Sequence, residues 1–420
     1  MEKKLNLTQK LIAAHLAKPS DMRPGEEIHL KFEQTLTHDI NAVMCYLAFE
    51  AVGIPRVRTE ASVSYLDHNL LYIDNKTPDD HIFLQTLAQH YGIWLSRPGN
   101  GIMHSVQLAR FGAPGKASLG TDSHTPSGGA IGMLAIGGGG MDCAAVMAGI
   151  PLRLKMPEVV RVNLTGRLRP GVGAKDVILE MLRRFSVKGG LGKVYEYVGP
   201  GAAALEVPER MTIANMGAEL GATTSVFPSD EMVRRFLEAQ GRGEEFVPLC
   251  ADEGCAYDAE IELDLSTLEP LIACPDQPDN VKKVRELEPA AVQQVFFGSC
   301  TNGRLEDMEA AYHILNGKHI AEGIRCIIIP GTMQILRECV ERGWYTAFID
   351  AGAIVSTPTC GPCLGGYMGI LAAGEKCVAT TNRNFVGRMG HVESEVYLAS
   401  PHTAAASALT GYITEYKEAE

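Results

Sequence analysis

Short apolar runs rich in β-branched residues alternate along this chain with segments whose apolar residues recur at helical spacing. Residues 5–17 have the pattern of an amphipathic helix, and residues 61–65, 159–164, 295–298 and 326–330 have the pattern of strands. Strands that alternate with helices are typical of proteins built from α/β layers. We therefore predict an α/β fold.

Two changes along the chain suggest where domains meet, because 420 residues are too many for one ordinary domain. A break in composition at residues 155–158 precedes a new strand, and residues 270–289 contain four prolines and many charged residues. We interpret this second stretch as a linker. The sequence thus predicts three α/β domains, at residues 1–156, 157–278 and 279–420.

Composition and charge narrow the class of protein. No segment is long and apolar enough to span a bilayer, and residues 1–7 contain no hydrophobic signal core, so we expect a cytoplasmic protein. Eleven cysteines, an odd number in a large chain, do not form a disulfide framework, which leaves free thiols or metal ligands. A net charge of −12 without a lysine- or arginine-rich tract argues against a general nucleic-acid surface.

Three cysteines are candidate metal ligands: Cys300 in F-F-G-S-C-T-N-G-R, and the pair Cys360 and Cys363 in T-P-T-C-G-P-C-L-G-G. Thiolates are soft ligands for zinc or iron–sulfur clusters, and a distant cysteine can complete a site that a C-x-x-C pair begins. A cluster held by three cysteines leaves one iron free for substrate, whereas a closed zinc site needs four protein ligands. The pair alone also fits a thioredoxin-type redox pair, half of a zinc site or two buried thiols.

A loop at residues 120–129, with the sequence G-T-D-S-H-T-P-S-G-G, places Asp122, Ser123 and His124 between glycines. A carboxylate beside a histidine can fix its tautomer and raise its basicity, and such a loop can direct donors at an anionic ligand. The alternative is a local turn in which Asp122 and Ser123 cap the backbone. The nearby glycine run at residues 137–140 lacks a P-loop lysine, which argues against nucleotide binding.

Two other histidines have similar surroundings. His68 follows Asp67 just after the predicted strand at residues 61–65, and His104 follows a loop that contains two glycines. A single histidine is more often a satisfied polar residue than a catalyst. Here three histidines lie at junctions between loops and regular elements, each near a glycine or an aspartate. This recurrence favours acid–base chemistry over three unrelated polar residues.

Two polar pairs in the second half of the chain are candidates for binding carboxylates or orienting other groups. Asn215 and Glu219 are four residues apart and share one face if this segment is helical. Arg383 and Arg388 lie on either side of a glycine turn, and guanidinium groups bind carboxylates through two parallel hydrogen bonds. The arginines are therefore a candidate anchor for a dicarboxylate, with a pair of surface salt bridges as the alternative.

Together these segments resemble the aconitase superfamily over nearly the whole chain. The segments that carry the resemblance are T-D-S-H-T-P-S-G-G at 121–129, N-M-G-A-E-L-G-A-T-T-S-V-F-P at 215–228, G-S-C-T-N-G-R-L-E-D at 298–307, C-G-P-C at 360–363 and N-R-N-F-V-G-R at 382–388. Their order along the chain is the order in that family. The resemblance implies three aconitase-like α/β domains packed around a central iron–sulfur cluster.

The resemblance also implies roles for individual residues. A 4Fe-4S cluster would be held by Cys300, Cys360 and Cys363, and its fourth iron would bind the substrate's hydroxyl and a carboxylate as a Lewis acid. The acid–base and orienting pairs would be Asp67 with His68, His104 with Asp122, and His124 with Glu219. The residues around the cluster and the substrate would be His38, Ser123, Asn215, Asn382, Arg383 and Arg388. The implied reaction is reversible dehydration and rehydration of a hydroxy di- or tricarboxylic acid.

Two departures from full-length aconitases lead to predictions about partner and substrate. The chain ends at Glu420, where those enzymes continue into a mobile fourth domain, so we expect a large subunit that needs a small subunit for catalysis. His38 stands where citrate-acting aconitases carry glutamine, which favours 3-isopropylmalate, homoaconitate or dimethylmalate, although the segment at 215–228 is closer to citrate-acting enzymes. The alternatives are an aconitate hydratase acting on citrate and isocitrate, a cluster-sensing RNA-binding regulator and a structural zinc module.

Overall fold

The computed structural model describes residues 4–417. Residues 1–3 and 418–420, which include the chain end at Glu420, lie outside the described residues. The helices are α1 (Leu7–His15), α2 (Ala42–Ala51), α3 (Lys76–Tyr91), α4 (Met103–Arg110), α5 (Gly140–Met147), α6 (Ala174–Phe185), α7 (Gly199–Ala204), α8 (Val207–Met216), α9 (Glu231–Ala239), α10 (Leu305–Leu315), α11 (Met333–Glu341), α12 (Trp344–Asp350) and α13 (Pro401–Thr410). Short 3₁₀ turns cover Thr125–Ile131, Gly217–Leu220, Gly243–Glu245, Leu265–Thr267, Val284–Glu286 and Gly361–Leu364.

The strands alternate with these helices, as the hydrophobic pattern predicts. They are β1 (Glu27–Leu30), β2 (Gln34–His38), β3 (Ala61–Tyr65), β4 (Trp94–Ser96), β5 (Ala117–Gly120), β6 (Leu134–Gly137), β7 (Leu152–Lys155), β8 (Glu158–Thr165), β9 (Lys193–Val198), β10 (Thr224–Val226), β11 (Ala259–Asp264), β12 (Leu271–Ala273), β13 (Val281–Lys283), β14 (Gln294–Phe297), β15 (Arg325–Ile328), β16 (Ile354–Val355), β17 (Lys376–Ala379) and β18 (Glu395–Ala399). The predicted strands at 61–65, 159–164, 295–298 and 326–330 correspond to β3, β8, β14 and β15. The predicted α/β fold is confirmed.

The chain divides into two compact units. Unit 1 consists of residues 1–98, 106–166 and 190–264, and unit 2 consists of residues 99–105, 167–189 and 265–420. Two short segments from the first half of the chain therefore belong to unit 2, an arrangement that a division by sequence position does not anticipate. The three domains at 1–156, 157–278 and 279–420 stay a prediction.

The first helix shows why the predicted and observed ends of an element differ. The pattern predicts a helix over residues 5–17, whereas α1 begins at Leu7 because Asn6 caps it. The Asn6 side chain accepts the Gln9 N–H at 2.8 Å, and the Gln9 side chain accepts the Asn6 N–H at 3.3 Å. Among residues 4–417, no helix has both the length and the apolar character needed to cross a bilayer.

In unit 1, a parallel sheet has the strand order β4-β3-β2-β5-β6. The central strand β2 is buried at every position, and its Leu36 pairs with Val63 of β3 and with Gly120 of β5. Because parallel strands run in the same direction, the loops that follow His38, Tyr65 and Gly120 leave from one edge of the sheet. That edge is the usual place for chemistry in α/β proteins.

A second parallel sheet in unit 1 has the order β10-β9-β8-β11, and β1 pairs with β7 in antiparallel fashion. Helices cover the first sheet, and Phe49 of α2 packs edge-on against Tyr91 of α3, with ring centroids 5.0 Å apart. The 3₁₀ turn Thr125–Ile131 lies against β10 so closely that a side chain at Gly129 would collide with the carbonyl of Ser225. Glycine at that position therefore lets the 120–129 loop sit against the second sheet.

Unit 2 contains a sheet with the order β13-β12-β18-β17-β14-β15-β16. The five strands from β18 to β16 are parallel, with β14 between β17 and β15. Phe297 of β14, Met308 of α10 and Ala404 of α13 are buried in one apolar core. Since β14 and β17 are neighbours, the loops after Phe297 and Ala379 leave from the same edge of this sheet.

The interpretation of residues 270–289 as a linker is wrong. This stretch contains β12 and β13, which pair with each other, and β12 also pairs with β18. Leu271, Ile272 and Ala273 are all buried. The prolines flank the two strands without interrupting their hydrogen bonds, and strands near a sheet edge tolerate prolines at their ends. The prolines and charged residues give this stretch the composition of a loop. Two strands of only three residues each are too short to change that composition.

Candidate active site

The candidate acid–base residues of unit 1 collect at the carboxyl ends of three neighbouring strands. His38 is the last residue of β2, Asp67 and His68 lie just beyond β3, and Asp122 and His124 lie just beyond β5. These strands are adjacent in the order β3-β2-β5. The sheet thus assembles residues that are far apart in the sequence.

His68 is paired with two carboxylates. Its Nδ1 lies 2.9 Å from Asp67 Oδ1 and 3.6 Å from Asp39 Oδ1. Burial alone would lower the pKa of His68, but the charges and hydrogen bonds of Asp67 and Asp39 outweigh it and raise that pKa well above the ordinary value. The raised pKa favours the protonated form of His68, which can hold a proton for transfer.

Asp39 is a site residue that the sequence analysis missed. Its two carboxylate oxygens accept the backbone N–H groups of His68 at 3.1 Å and Asn69 at 2.7 Å. Burial opposes ionisation, yet hydrogen bonds from His68 and His81 hold the pKa of Asp39 well below its usual range. Its position directly after His38, at the end of a buried strand, was the signal available in the sequence.

His81 and Tyr72 extend this group, and no sequence motif marks either residue. His81 lies on α3 with its Nε2 3.3 Å from Asp39 Oδ2, and its Nδ1 lies 2.9 Å from the Tyr72 hydroxyl. Both belong to a segment without a motif, so only the folded chain brings them to Asp39. The resulting chain Tyr72–His81–Asp39 fixes the carboxylate that faces His68.

His38 is a neutral histidine with a defined tautomer. Asn41 Nδ2 donates to His38 Nε2 at 2.9 Å, and the Asn41 amide is oriented by hydrogen bonds to the Thr121 carbonyl and from the Thr121 hydroxyl. Since Nε2 accepts, the proton of the neutral ring is on Nδ1. Within residues 4–417, this buried Nδ1 has no hydrogen-bond partner. An N–H group without a partner is available to a ligand.

Burial and the positive charge of His68, whose ring centroid lies 4.3 Å away, lower the pKa of His38 to about 4. We therefore predict that ¹⁵N NMR of the histidine side chains shows a neutral His38 and a protonated His68 at pH 7. Because this pKa lies below the ordinary 6.5, the stability from keeping His38 neutral is complete above pH 6.5 and is lost as the pH falls towards 4. A His38 ring that takes up its proton near pH 6.5 would contradict this arrangement.

His124 is held between two carboxylates. Its Nε2 lies 2.7 Å from Glu219 Oε1, and its Nδ1 lies 3.3 Å from Asp122 Oδ1. Asp122 Oδ1 also accepts the His124 backbone N–H at 2.7 Å, so the local turn considered in the sequence analysis is present together with the pairing. Asp122 Oδ2 lies 3.8 Å from His38 Nε2, which places this carboxylate between two histidines.

Asn215 supports the same loop from α8. Its Nδ2 donates to Ser127 Oγ at 3.0 Å, and that hydroxyl donates to the His124 carbonyl at 2.7 Å. Asn215 is the last residue but one of α8, and Glu219 follows on the 3₁₀ turn Gly217–Leu220. Ser123 is exposed. The predicted roles of these residues stay predictions.

His104 belongs to the other unit. It lies in the first turn of α4, is buried, and falls in the short segment 99–105 of unit 2, whereas Asp122 falls in unit 1. The pairing of His104 with Asp122 stays a prediction.

Three residues of this histidine–aspartate group in unit 1 are close enough together to share a metal ion. His38, Asp39 and His68 each offer an atom within 4.8 Å of the others. A protonated His68 has no lone pair to offer a metal, and both Asp39 oxygens already accept backbone N–H groups. The arrangement suits proton transfer better than metal ligation.

In unit 2, the three candidate cysteines lie on tight loops after parallel strands. Cys300 follows β14 through Gly298 and Ser299, which have φ angles of 149° and 71°. Gly361 lies between Cys360 and Cys363, and its φ of 67° is one that residues with a side chain rarely adopt. None of the three forms a disulfide, and they are 6%, 7% and 2% exposed in chain order.

Asn382 joins two of these cysteines. It follows β17, and its Nδ2 lies 3.3 Å from Cys300 Sγ, while Cys363 Sγ lies 3.6 Å from its Oδ1. An isolated redox pair of Cys360 and Cys363 does not account for this link to Cys300. Three buried thiol ligands with an amide donor directed at sulfur suit an iron–sulfur cluster, since hydrogen bonds to sulfur tune such clusters.

The two arginines of N-R-N-F-V-G-R are partly buried. Arg388 Nε is buried and has no hydrogen-bond partner within residues 4–417. A guanidinium nitrogen that is removed from water without a partner is costly, and a ligand carboxylate would satisfy it. This observation favours an anion anchor over a surface salt bridge for Arg388.

Comparison with known proteins points to one family. The profile described as Aconitase family (aconitate hydratase) matches residues 9–291 and 281–411. The 3-isopropylmalate dehydratase large subunit of Caldanaerobacter subterraneus subsp. tengcongensis is 42% identical over 99% of this chain and 100% of that protein. The 2,3-dimethylmalate dehydratase large subunit of Eubacterium barkeri is 41% identical over 97% of this chain and 98% of that protein.

A solved structure supports the fold. Thermococcus kodakaraensis aconitase X, in its holo-form, matches with a TM-score of 0.50 over 87% of this chain and 89% of that chain. The two sequences are 12% identical, so the likeness concerns the fold alone.

Proposed function

Because this chain belongs to the aconitase family, we propose that it is the large subunit of a hydro-lyase that acts on 3-isopropylmalate or a related hydroxy acid such as 2,3-dimethylmalate. The observation that carries this proposal is the match with dehydratase large subunits along their whole length, at 42% and 41% identity. These relatives do not support a citrate-acting aconitate hydratase or an RNA-binding regulator. Homoaconitate stays a prediction as a third substrate.

Cys300, Cys360 and Cys363 would hold a 4Fe-4S cluster in unit 2. Their burial, their freedom from disulfides and the Asn382 amide beside two of the sulfurs support this proposal. When bound, the cluster supplies a Lewis-acidic iron with a position open to the substrate's hydroxyl and carboxylate oxygens. A structural zinc module would leave the histidine–carboxylate pairs of unit 1 without a role.

The residues of unit 1 would move the protons. Dehydration removes a proton from carbon and releases the neighbouring hydroxyl as water, so it needs a proton acceptor and a proton donor. We assign the donor role to His68, whose protonated form is favoured by Asp67 and Asp39. We assign the acceptor of the carbon proton to the small subunit, which would carry the mobile domain of full-length aconitases. Glu219, at 2.7 Å, would hold the His124 ring in a fixed orientation. His124 would then exchange protons through its ring nitrogens. No electrons are transferred, and rehydration reverses the same transfers.

Other residues would bind the substrate. The His38 Nδ1–H, which has no partner within residues 4–417, would donate to a substrate oxygen. Arg388, whose Nε is also unsatisfied within that range, would bind a carboxylate together with Arg383. Ser123 is exposed on the His124 loop and would contact the substrate directly.

A small subunit and a cytoplasmic location complete the proposal. The dehydratase relatives are named large subunits, and this chain matches 100% and 98% of their lengths. This supports an enzyme made of a large and a small subunit here as well. We propose that a separate small subunit is needed for full activity. The cytoplasmic location stays a prediction from the sequence.

The test is an anaerobic assay of this chain with the proposed small subunit from the same organism. After reconstitution with iron and sulfide, we expect the pair to dehydrate 3-isopropylmalate or 2,3-dimethylmalate faster than citrate, and the large chain alone to be much slower. The measurement is the ultraviolet absorbance of the unsaturated product. Preference for citrate would overturn the substrate proposal, and full activity of the single chain would overturn the two-subunit proposal.

A further inference from the structure

Lys175 is a buried lysine in unit 2 that the proposed chemistry does not use. It lies in the first turn of α6 and is 1% exposed. Its Nζ donates to the Thr380 carbonyl at 3.0 Å, to the Thr381 carbonyl and to Asn302 Oδ1 at 3.4 Å. An ammonium group has three N–H donors, so these three acceptors match its full capacity.

The start of α6 is fixed by the residue next to Lys175. Asp176 Oδ2 accepts the Gly173 N–H at 2.8 Å and caps the helix. Asp176 Oδ1 accepts the Leu271 N–H of β12 at 2.7 Å. The backbone that carries Lys175 is thus attached to the sheet of unit 2, and the ammonium group has a defined position.

One arm of the Lys175 network leads to the amide between the sulfurs. Thr381 directly precedes Asn382, which contacts Cys300 Sγ at 3.3 Å and Cys363 Sγ at 3.6 Å. The hydrogen bond from the Lys175 ammonium group holds the Thr381 carbonyl in place. That carbonyl belongs to the peptide bond between Thr381 and Asn382. Lys175 therefore restrains the backbone that orients Asn382.

The other arm leads to the loop that carries Cys300. Asn302 lies two residues after Cys300 and accepts from Lys175, and the Thr380 hydroxyl accepts the Gly298 N–H at 3.0 Å. Lys175 consequently contacts both loops that meet at the cysteines, one after β14 and one after β17.

The charges around Lys175 indicate what offsets its burial. Burial lowers the pKa of Lys175 to about 7, while negative charge on Asp307, Cys363 and Cys300 acts in the opposite direction. Two of these three negative groups are proposed cluster ligands. The charge that favours the ammonium form thus comes first from Asp307 and then from these two cysteines.

We propose that Lys175 is a positioning residue for the three-cysteine site, which fixes Asn382 between two sulfurs and offsets the negative charge of a thiolate-bound cluster. This inference rests on the cluster proposed for this chain. A lysine with a merely structural role would affect unfolding but would not change the reduction potential of the cluster. That difference separates the two roles.

The test compares Lys175→Met with Lys376→Met in the whole chain after anaerobic reconstitution. Lys376 is a suitable control because it forms a 2.9 Å ion pair with Glu395 near the surface. We expect Lys175→Met to lose iron to a chelator about 10- to 100-fold faster, the range seen when a residue that orients metal ligands is removed. Its reduction potential, measured by a titration followed by electron paramagnetic resonance, should become more negative because a nearby positive charge is lost.

Lys175→Arg, which keeps the charge, should recover part of the potential, and Lys376→Met should match the unmodified chain. Unchanged iron loss and potential in Lys175→Met would overturn the inference. If that variant does not fold, Lys175→Gln keeps a donor without the charge, and an unchanged potential there would overturn it equally. An unmodified chain that takes up no cluster would overturn this inference together with the proposed function, whereas a stable cluster unaffected by Lys175→Met would overturn this inference alone.

Discussion

Serine in place of Cys360 should give a folded chain that no longer retains an iron–sulfur cluster. Cys360 is 7% exposed and is one of the three thiols proposed to hold the cluster. Serine is a harder and less readily ionised ligand than cysteine, so iron should be lost during purification. Replacing a residue that only orients a metal ligand typically lowers metal affinity about 10- to 100-fold. Loss of a ligand itself should lower cluster retention, and hence activity, by more than that. Iron content, visible absorption and product formation with the small subunit measure the effect.

Cys274→Ser is the matched control. Cys274 is also a free cysteine of unit 2 and is also 7% exposed, but it has no place among the proposed ligands. This variant should keep its iron and its colour. If Cys360→Ser retained iron and sulfide as well as Cys274→Ser does, the three-cysteine assignment would be wrong.

Glutamine in place of Glu219 should lower kcat by about 10²- to 10⁴-fold, the usual contribution of a positioned acid–base group. Glu219 Oε1 lies 2.7 Å from His124 Nε2, and a carboxylate in that position fixes the orientation of the ring. Glutamine keeps the size of the side chain but removes the charge. KM should change little, since the pair is proposed to act on protons and not to hold the substrate. The measurement is the steady-state rate of the two-subunit enzyme across a pH series.

Glu309→Gln provides the control for this substitution. Glu309 lies 3.9 Å from His313 in an exposed pair on α10, and exposed pairs contribute little. This variant should keep the kcat and the pH profile of the unmodified enzyme. A Glu219→Gln enzyme with an unaltered kcat and pH profile would remove the His124–Glu219 pair from the proposed mechanism.

Strand ends and short motifs account for what the sequence predicted well. The apolar run before Cys300 marked a buried strand, and β14 ends at Phe297 as that run implies. The glycines around Cys360 and Cys363 predicted tight loops, and Gly361 and Gly365 have positive φ angles there. The role of the two cysteines as a ligand pair stays a prediction. These features are local, so neighbouring residues in the sequence carry enough information to recognise them.

Residues whose positions depend on distant parts of the chain escaped prediction. His81 lies on a helix in a segment without a motif, and only the folded chain places it next to Asp39. Lys175 is buried, yet no motif distinguishes it from a solvent-exposed lysine. A lysine in a helix is expected at the surface, and the acceptors on Thr380, Thr381 and Asn302 offset the cost of burying this one. Long-range contacts of this kind are absent from local sequence patterns.

The separate cores of the two units have a consequence for damage by oxygen. The network around His68 is held by the sheet of unit 1 and by contacts within that unit, whereas the cysteine loops are held by the sheet of unit 2. Loss of the proposed cluster would therefore leave the residues proposed for proton transfer in place. We expect an oxidised chain to be repaired by resupplying iron and sulfide, without resynthesis of the polypeptide.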